Sequence, residues 1–174
     1  MKTRMFFAGS GGQGILLMGQ LIAKAAMYEG KEVTFMPSYG PEMRGGTANC
    51  TVIVSDSTIN CPLINEADVL IVMNQPSLIK FEGMVAAGGK VIINTSLIEA
   101  RPGRDDIECV EVDANGKAVE LGNEKTANMI MLGAIVASTG VVGFDSIDHV
   151  LQTVFTGDKA RFLPLNEKAV RVYA

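Results

Sequence analysis

The segment that most restricts the fold runs from a short apolar stretch, Met5-Phe6-Phe7-Ala8, through Gly9-Ser10-Gly11-Gly12-Gln13-Gly14, into Ile15 to Tyr28 with apolar residues at helical spacing. Period and punctuation predict a strand, a tight turn and a helix. A chain that begins this way points to an α/β fold, a sheet covered by helices. The amino-acid composition agrees. It is 48% hydrophobic but only 6% aromatic, with 19 glycines and no tryptophan, which favours an aliphatic α/β core with tight turns over a β-sandwich. At 174 residues the chain fits one domain, residues 1–174, able to bury about 70% of its unfolded surface.

Gly30 closes the first helix, and Glu32 to Met36 reads as a second strand running into Ser38-Tyr39-Gly40-Pro41-Glu42-Met43-Arg44-Gly45-Gly46. That block sets three glycines, a proline and two opposite charges between hydrophobic runs, a pattern for a shaped loop facing a ligand or partner. Ala48 to Val54 is a third strand, and Thr58 to Asn60 is expected to return as a short antiparallel fourth, three residues being too few for a crossover helix. Val69 to Met73 and Lys90 to Asn94 are apolar runs typical of strands buried on both faces, joined by a helix expected from Gln75 to Ala87 and ended by Gly88-Gly89. After a polar loop at 100–106, Ile107 to Asp113 alternates like a strand near the sheet edge. Three helices follow, at Ala127 to Thr139, Ile147 to Phe155 and Leu165 to Val172. The apolar stretch Met129 to Val142 is short of the roughly 20 residues a membrane span needs and reads as a core helix, so no membrane role is expected.

A formal net charge of −4 with scattered basic residues argues against nucleic acid as a partner. Cys50, Cys61 and Cys109 are odd in number and far apart, which excludes a disulfide framework and a CxxC metal cradle and predicts a reducing cytoplasmic setting. Cys50 reads as a small buried hydrophobe, whereas Cys61 has no assigned role. The single histidine, His149, beside Asp148, reads as a solvated or capping residue, and no nucleophile elbow accompanies it. Arg101 and Arg104 read as a surface loop neutralised by Asp105 and Asp106. No catalytic residue and no metal ligand is assigned.

Gly9, Gly11 and Gly14 fit G-x-G-x-x-G between a strand and a helix, a context in which backbone amides hold phosphate. Gly9, Ser10, Gly11, Gly12, Gln13 and Gly14 are therefore candidates for a phosphate or partner contact. Two alternatives stand beside this. The glycines serve close helix packing alone, or the chain is a stand-alone nucleotide-binding oxidoreductase domain. A dinucleotide site, however, calls for an acid at the end of the second strand, and Phe35-Met36-Pro37 supplies none.

The glycine turn, the block from Pro37 to Ala48, Ser55 with Pro62, Ala67-Asp68, Asn128 to Ala134 and Asn166-Glu167-Lys168-Ala169 together resemble, in order and spacing, the gamma subunit of the 2-oxoacid:ferredoxin oxidoreductases. The Ser38 to Gly46 block is the specific part. The resemblance implies a three-layer α/β/α, Rossmann-like fold with a mixed, mostly parallel sheet. It also implies a subunit without the reaction centre, in a complex that oxidatively decarboxylates a 2-oxoacid, 2-oxoglutarate first and branched-chain acids second, to an acyl-CoA and reduces ferredoxin. Thiamine diphosphate, magnesium, iron–sulfur clusters and CoA would belong to that complex, with none bound by this chain alone. Implied partners are alpha-type and beta-type subunits and a ferredoxin-like delta subunit, and the isolated chain is expected to be inactive and able to form a homodimer. Three scattered cysteines accord with this, since a four-iron cluster takes four thiolates. The Ser38 to Gly46 loop would dock in a structural and gating role near CoA, with Arg44 pairing a carboxylate or phosphate, Glu42 bonding partner amides or fixing Arg44, and Tyr39 as an amphipathic contact. The alternative is that Glu42 and Arg44 only pair with each other.

Overall fold

The structure, a computed structural model, describes residues 1–38 and 47–174. Six strands, β1 (Lys2–Ser10), β2 (Glu32–Ser38), β3 (Thr47–Ser55), β4 (Ala67–Val72), β5 (Val85–Asn94) and β6 (Glu108–Val112), form one sheet in the order β2-β3-β1-β4-β5-β6. β1, β4, β5 and β6 pair in parallel, while β3 runs antiparallel to both β1 and β2. The helices are α1 (Ile15–Tyr28), α2 (Gln75–Phe81), α3 (Ala114–Glu120), α4 (Ala127–Thr139), α5 (Phe144–Val154) and α6 (Leu163–Val170). This is the expected α/β class with a mixed, mostly parallel sheet.

Alternation along the strands sends side chains to two cores. Met5 and Phe7 of β1, Cys50, Val52 and Val54 of β3, and Ile71 of β4 meet α1, α4 and α5 on one face. Ala8, Leu70, Val72, Val91 and Ile93 meet Leu78 of α2 on the other, where the Phe6 and Phe81 rings lie 4.8 Å apart. The layers are unequal, with α2 the only α-helix on the second face among the described residues. Cys50 is buried as expected, and burial pushes its thiol up to about 12.

Four expectations are corrected. Thr58 to Asn60 forms no strand, because β3 is an interior strand whose two edges are already taken by β1 and β2. The helix after Gln75 ends at Phe81 and a single 3₁₀ turn, Glu82–Met84, leads into β5. There the Arg104 guanidinium donates to the carbonyls of Glu82 and Val85 at 3.3 and 2.6 Å, taking acceptors that a continuing helix would use. Gly88-Gly89 therefore sits inside β5, where pairing with β4 jumps from Ala67–Val85 to Val69–Lys90. A further helix, α3, occupies residues read as featureless; Asp113 caps it by accepting from the Gly116 amide at 3.2 Å. Arg104 does pair with Asp106, but Arg101 pairs with Glu111 rather than with the neighbouring aspartates.

At the amino end of the parallel core, Asp68 accepts from the Arg4 main-chain amide at 2.7 Å and from its guanidinium at 3.1 and 2.7 Å. Burial pushes the Asp68 carboxyl up, but the hydrogen bonds and charge of Arg4 outweigh it and hold the group below the usual carboxylate range. A depressed folded-state pKa gives stability that is present above the unfolded value near pH 4 and lost as pH falls through the folded value. Asp68→Asn is expected to cost about 1 kcal/mol at pH 7, discounted because the pair is partly solvated. The gap from the parent should close below pH 3 in denaturant melts run across pH.

Candidate functional site

The chain leaves β1 through α1 toward β2 on one side, and leaves β4 through α2 toward β5 on the other. The carboxyl ends of β1 and β4 therefore flank the switch point at which open α/β sheets hold ligands. The glycine turn lies there, and Gln13 closes it. Its Oε1 accepts from the Ser10 amide at 2.8 Å and the Ser10 hydroxyl at 3.2 Å, and its Nε2 donates to the Met73 carbonyl at 3.2 Å. Asn74 completes the link, donating to Ser10 Oγ at 3.0 Å while its Oδ1 caps α2 through the Ser77 amide. The turn is thus tied to β4 by side chains as well as by the sheet. Close packing is also visible, since a Cβ at Gly9 would lie 2.6 Å from Gln13 Oε1 and 2.7 Å from Ile15 Cδ1.

Two adjoining cavities open beside the turn. One, of about 340 Å³, is bordered by Gly12, Gln13, Gly14, Lys125 and Asn128, with Glu124 on its rim. The other, of about 270 Å³, shares Lys125 and Asn128 and is walled by Leu17, Phe155, Phe162 and Asn166. Helix termini shape the first. Gly14 precedes α1 without a side-chain cap or an acid in the first turn, whereas α4 is entered from the 3₁₀ turn Glu124–Thr126, which Asn123 caps by accepting from the Lys125 amide and which carries Glu124. The first-turn amides of α1 have no intrahelical acceptor, so α1 presents positive potential to the crevice, while the Ala127 amide at the start of α4 already donates to the Glu124 carbonyl. Lys125 has no carboxylate partner among the described residues.

The sequence-derived residues divide between these surroundings. Gly12, Gln13 and Gly14 border the crevice; Gly9, Ser10 and Gly11 build the turn behind it. Ser38 ends β2 opposite Asn49, and Thr47 opens β3 opposite Ser10, so both ends of the intervening segment lie at the same end of the sheet as the crevice. Tyr39, Gly40, Pro41, Glu42, Met43, Arg44, Gly45 and Gly46 lie outside the described residues. His149 stacks on Tyr28, ring centroids 3.9 Å apart, remote from the turn in a surface cluster where Asp148 pairs with Arg171. Cys61 is exposed. Among the described residues no group of three potential metal ligands occurs, and no helix is long and apolar enough to cross a membrane. Sequence reasoning gave no role to Asn74, Lys125, Phe155 and Phe162. Asn74 had a usable signal, an Asn directly after a buried strand and two residues before Pro76, the pattern of a helix N-cap.

Comparison with known proteins places the chain. The family model described as pyruvate ferredoxin/flavodoxin oxidoreductase matches residues 4–172. The chain is 37% identical to ketoisovalerate oxidoreductase subunit VorA of Methanothermobacter marburgensis over 99% of its own length, but it spans only 36% of that longer protein. It is also 37% identical to 2-oxoglutarate synthase subunit KorC of Archaeoglobus fulgidus, over 98% of this chain and 86% of that one. Its fold matches the crystal structure of the keto/oxoacid ferredoxin oxidoreductase gamma subunit from Geobacter sulfurreducens, with a TM-score of 0.84 at 30% identity, covering 98% of this chain and 95% of that one.

Proposed function

Because the chain belongs to the pyruvate ferredoxin/flavodoxin oxidoreductase family, we propose that it serves as the gamma subunit of a 2-oxoacid:ferredoxin oxidoreductase. The observation that carries this reading is end-to-end similarity to KorC and to the Geobacter gamma subunit, both of about this chain's length. In this reading residues 1–174 form one gamma-type unit. Its partners are alpha-type and beta-type subunits holding thiamine diphosphate, magnesium and iron–sulfur clusters, together with a ferredoxin-like delta subunit. The complex converts a 2-oxoacid and CoA to acyl-CoA and CO₂ and passes two electrons to ferredoxin in the cytoplasm. The reaction centre lies on the partners, and the isolated chain is inactive. 2-Oxoglutarate is the first substrate reading, in keeping with the likeness to KorC; the equal identity to VorA favours branched-chain 2-oxoacids as the second.

Purification from native cells under anaerobic conditions tests this. The chain is expected to travel with larger thiamine-binding and iron–sulfur chains, and the fraction to reduce a low-potential dye with a 2-oxoacid only when CoA is present. The best acid names the substrate. A chain that purifies alone and binds NAD would overturn the reading in favour of a stand-alone oxidoreductase domain.

The segment between Ser38 and Thr47 is proposed as a contact with the catalytic subunits beside CoA. Arg44 suits it, since a guanidinium pairs bidentately with carboxylate or phosphate. Arg44→Ala is expected to weaken subunit co-purification or raise the CoA Michaelis constant about tenfold, whereas unchanged assembly with an unchanged constant would leave Arg44 as an internal partner of Glu42.

A further inference from the structure

Charge is unevenly placed on this chain. The whole sequence carries 15 basic and 19 acidic residues, yet from Gly157 to Val172, across the 3₁₀ turn Gly157–Phe162 and α6, four basic side chains stand against two acidic ones. Every residue from Thr156 to Phe162 is exposed, so the turn is presented to solvent along its length. Of the described arginines, Arg4, Arg101, Arg104 and Arg171 each pair with a carboxylate and Arg161 alone does not; Lys159 and Lys168 are also without one among the described residues. Arg161 is nonetheless held. Its guanidinium lies 4.8 Å from the centroid of the Phe162 ring, itself 38% exposed, a contact that orients the group and leaves its N–H donors for a partner.

The charge continues along α6. Arg161, Pro164, Lys168 and Arg171 recur at three- and four-residue steps, the spacing that brings side chains to one helix face. Pro164, Lys168 and Arg171 border an open depression of about 460 Å³ with Glu167 at its edge, and Arg171 is fixed there by Asp148 and by packing over Phe144 at 5.0 Å. Few apolar groups accompany these charges, only Phe162, Pro164 and Val172, whereas a permanent subunit contact resembles a domain core cut in half. A small face of this make-up suits a transient encounter, in which complementary charge sets the speed and orientation of docking.

We propose that the face formed by Lys159, Arg161, Phe162 and Lys168 docks a small acidic protein transiently, and that this protein is ferredoxin. The identity of the partner rests on the subunit reading above, whereas its acidic character follows from the face alone. A cluster held by four thiolates is itself anionic, so the side of a ferredoxin nearest its cluster is drawn to a basic face on a chain that is otherwise acidic. Arg161 would pair a carboxylate through its fork of donors, with Phe162 as the aromatic anchor beside it.

Steady-state kinetics of the native complex with ferredoxin, beside titration of the full-length chain with the same ferredoxin, test the face and the subunit reading separately. Lys159→Glu/Arg161→Glu is expected to raise the ferredoxin Michaelis constant about tenfold at low ionic strength, while dye reduction with 2-oxoacid and CoA continues at the parent's rate. Lys168→Glu should raise it by a smaller factor, which covers the case in which the double reversal disturbs assembly. The parent's constant should climb with added salt and the double variant's less steeply, because screening removes an attraction the variant has already lost. Lys80→Glu, on α2 at the opposite face of the sheet, is the control and should change neither. A ferredoxin constant that neither reversal nor salt moves overturns the docking face and leaves the subunit reading intact. A chain that purifies alone yet binds ferredoxin, with the affinity lost in Lys159→Glu/Arg161→Glu, keeps the face and overturns the subunit reading. Tighter binding of a DNA duplex or of phosphatidylserine vesicles than of ferredoxin overturns the assignment to an acidic protein.

Discussion

Replacing Gly133 by alanine is expected to destabilise the fold by about 3 kcal/mol and to lower the thermal midpoint by about 6–12 °C. Gly133 lies midway along α4, where α6 crosses it. A Cβ there would fall on the Val170 carbonyl oxygen, 2.8 Å from the carbonyl carbon and 3.1 Å from Cα. Those atoms are backbone and cannot swing aside, so relief requires α6 to move as a unit. α4 is in turn buried between the sheet and its neighbours, with Met129, Ile130, Met131 and Leu132 almost fully enclosed, so it cannot yield instead. The displacement also reaches the smaller cavity. α6 carries Asn166 and Leu165, and its retreat would widen the cavity they border. Gly83→Ala is the control, because a Cβ there meets nothing within 4 Å and its φ is not positive. Equal melting of parent and Gly133→Ala would mean that α4 and α6 are not held at this separation.

The elements that sequence reads well are those whose signals are local. α1 and α4 begin and end where the apolar spacing and the flanking glycines place them, because Gly14, Gly30 and Gly140 stop or start a helix without tertiary help. The errors fall where a distant group decides. Thr58 to Asn60 has strand composition but no free sheet edge to join, a fact fixed by the pairing of β3 with β1, whose partners run from Ser10 with Thr47 to Lys2 with Ser55. The end of α2 is set by Arg104, some twenty residues later. α3 was hidden because Asn115-Gly116 is a turn signal in isolation, and Ser96 reaches from after β5 to bond the Asn115 amide and the Asp113 carboxylate at the helix start. The candidate site divides the same way. Its glycine turn is contiguous and was visible, whereas Leu17, Asn128, Phe155 and Asn166 meet only through helix packing, and no spacing rule connects them.

Gly14 joins the two kinds of information, and its substitution makes the sharpest test of the crevice's construction. Its φ of +75° lies in the left-handed region, which costs an alanine about 1–2 kcal/mol. Beyond that strain, a Cβ would run into the Asn128 side-chain amide, 2.8 Å from Cγ and 2.9 Å from Cβ. Asn128 stands between the two cavities, so it must either leave its position or push α4 away from the turn. Together these effects predict a loss of about 2–3 kcal/mol for Gly14→Ala, with the strain and the collision separable. Removing the obstacle in Gly14→Ala/Asn128→Ala should leave only the strain, so the double variant should be about 1 kcal/mol more stable than the sum of its single changes implies. Denaturant melts of the four proteins measure that coupling. Additive losses would show that the turn and the start of α4 do not touch, and that the two cavities on either side of Asn128 are not built as one.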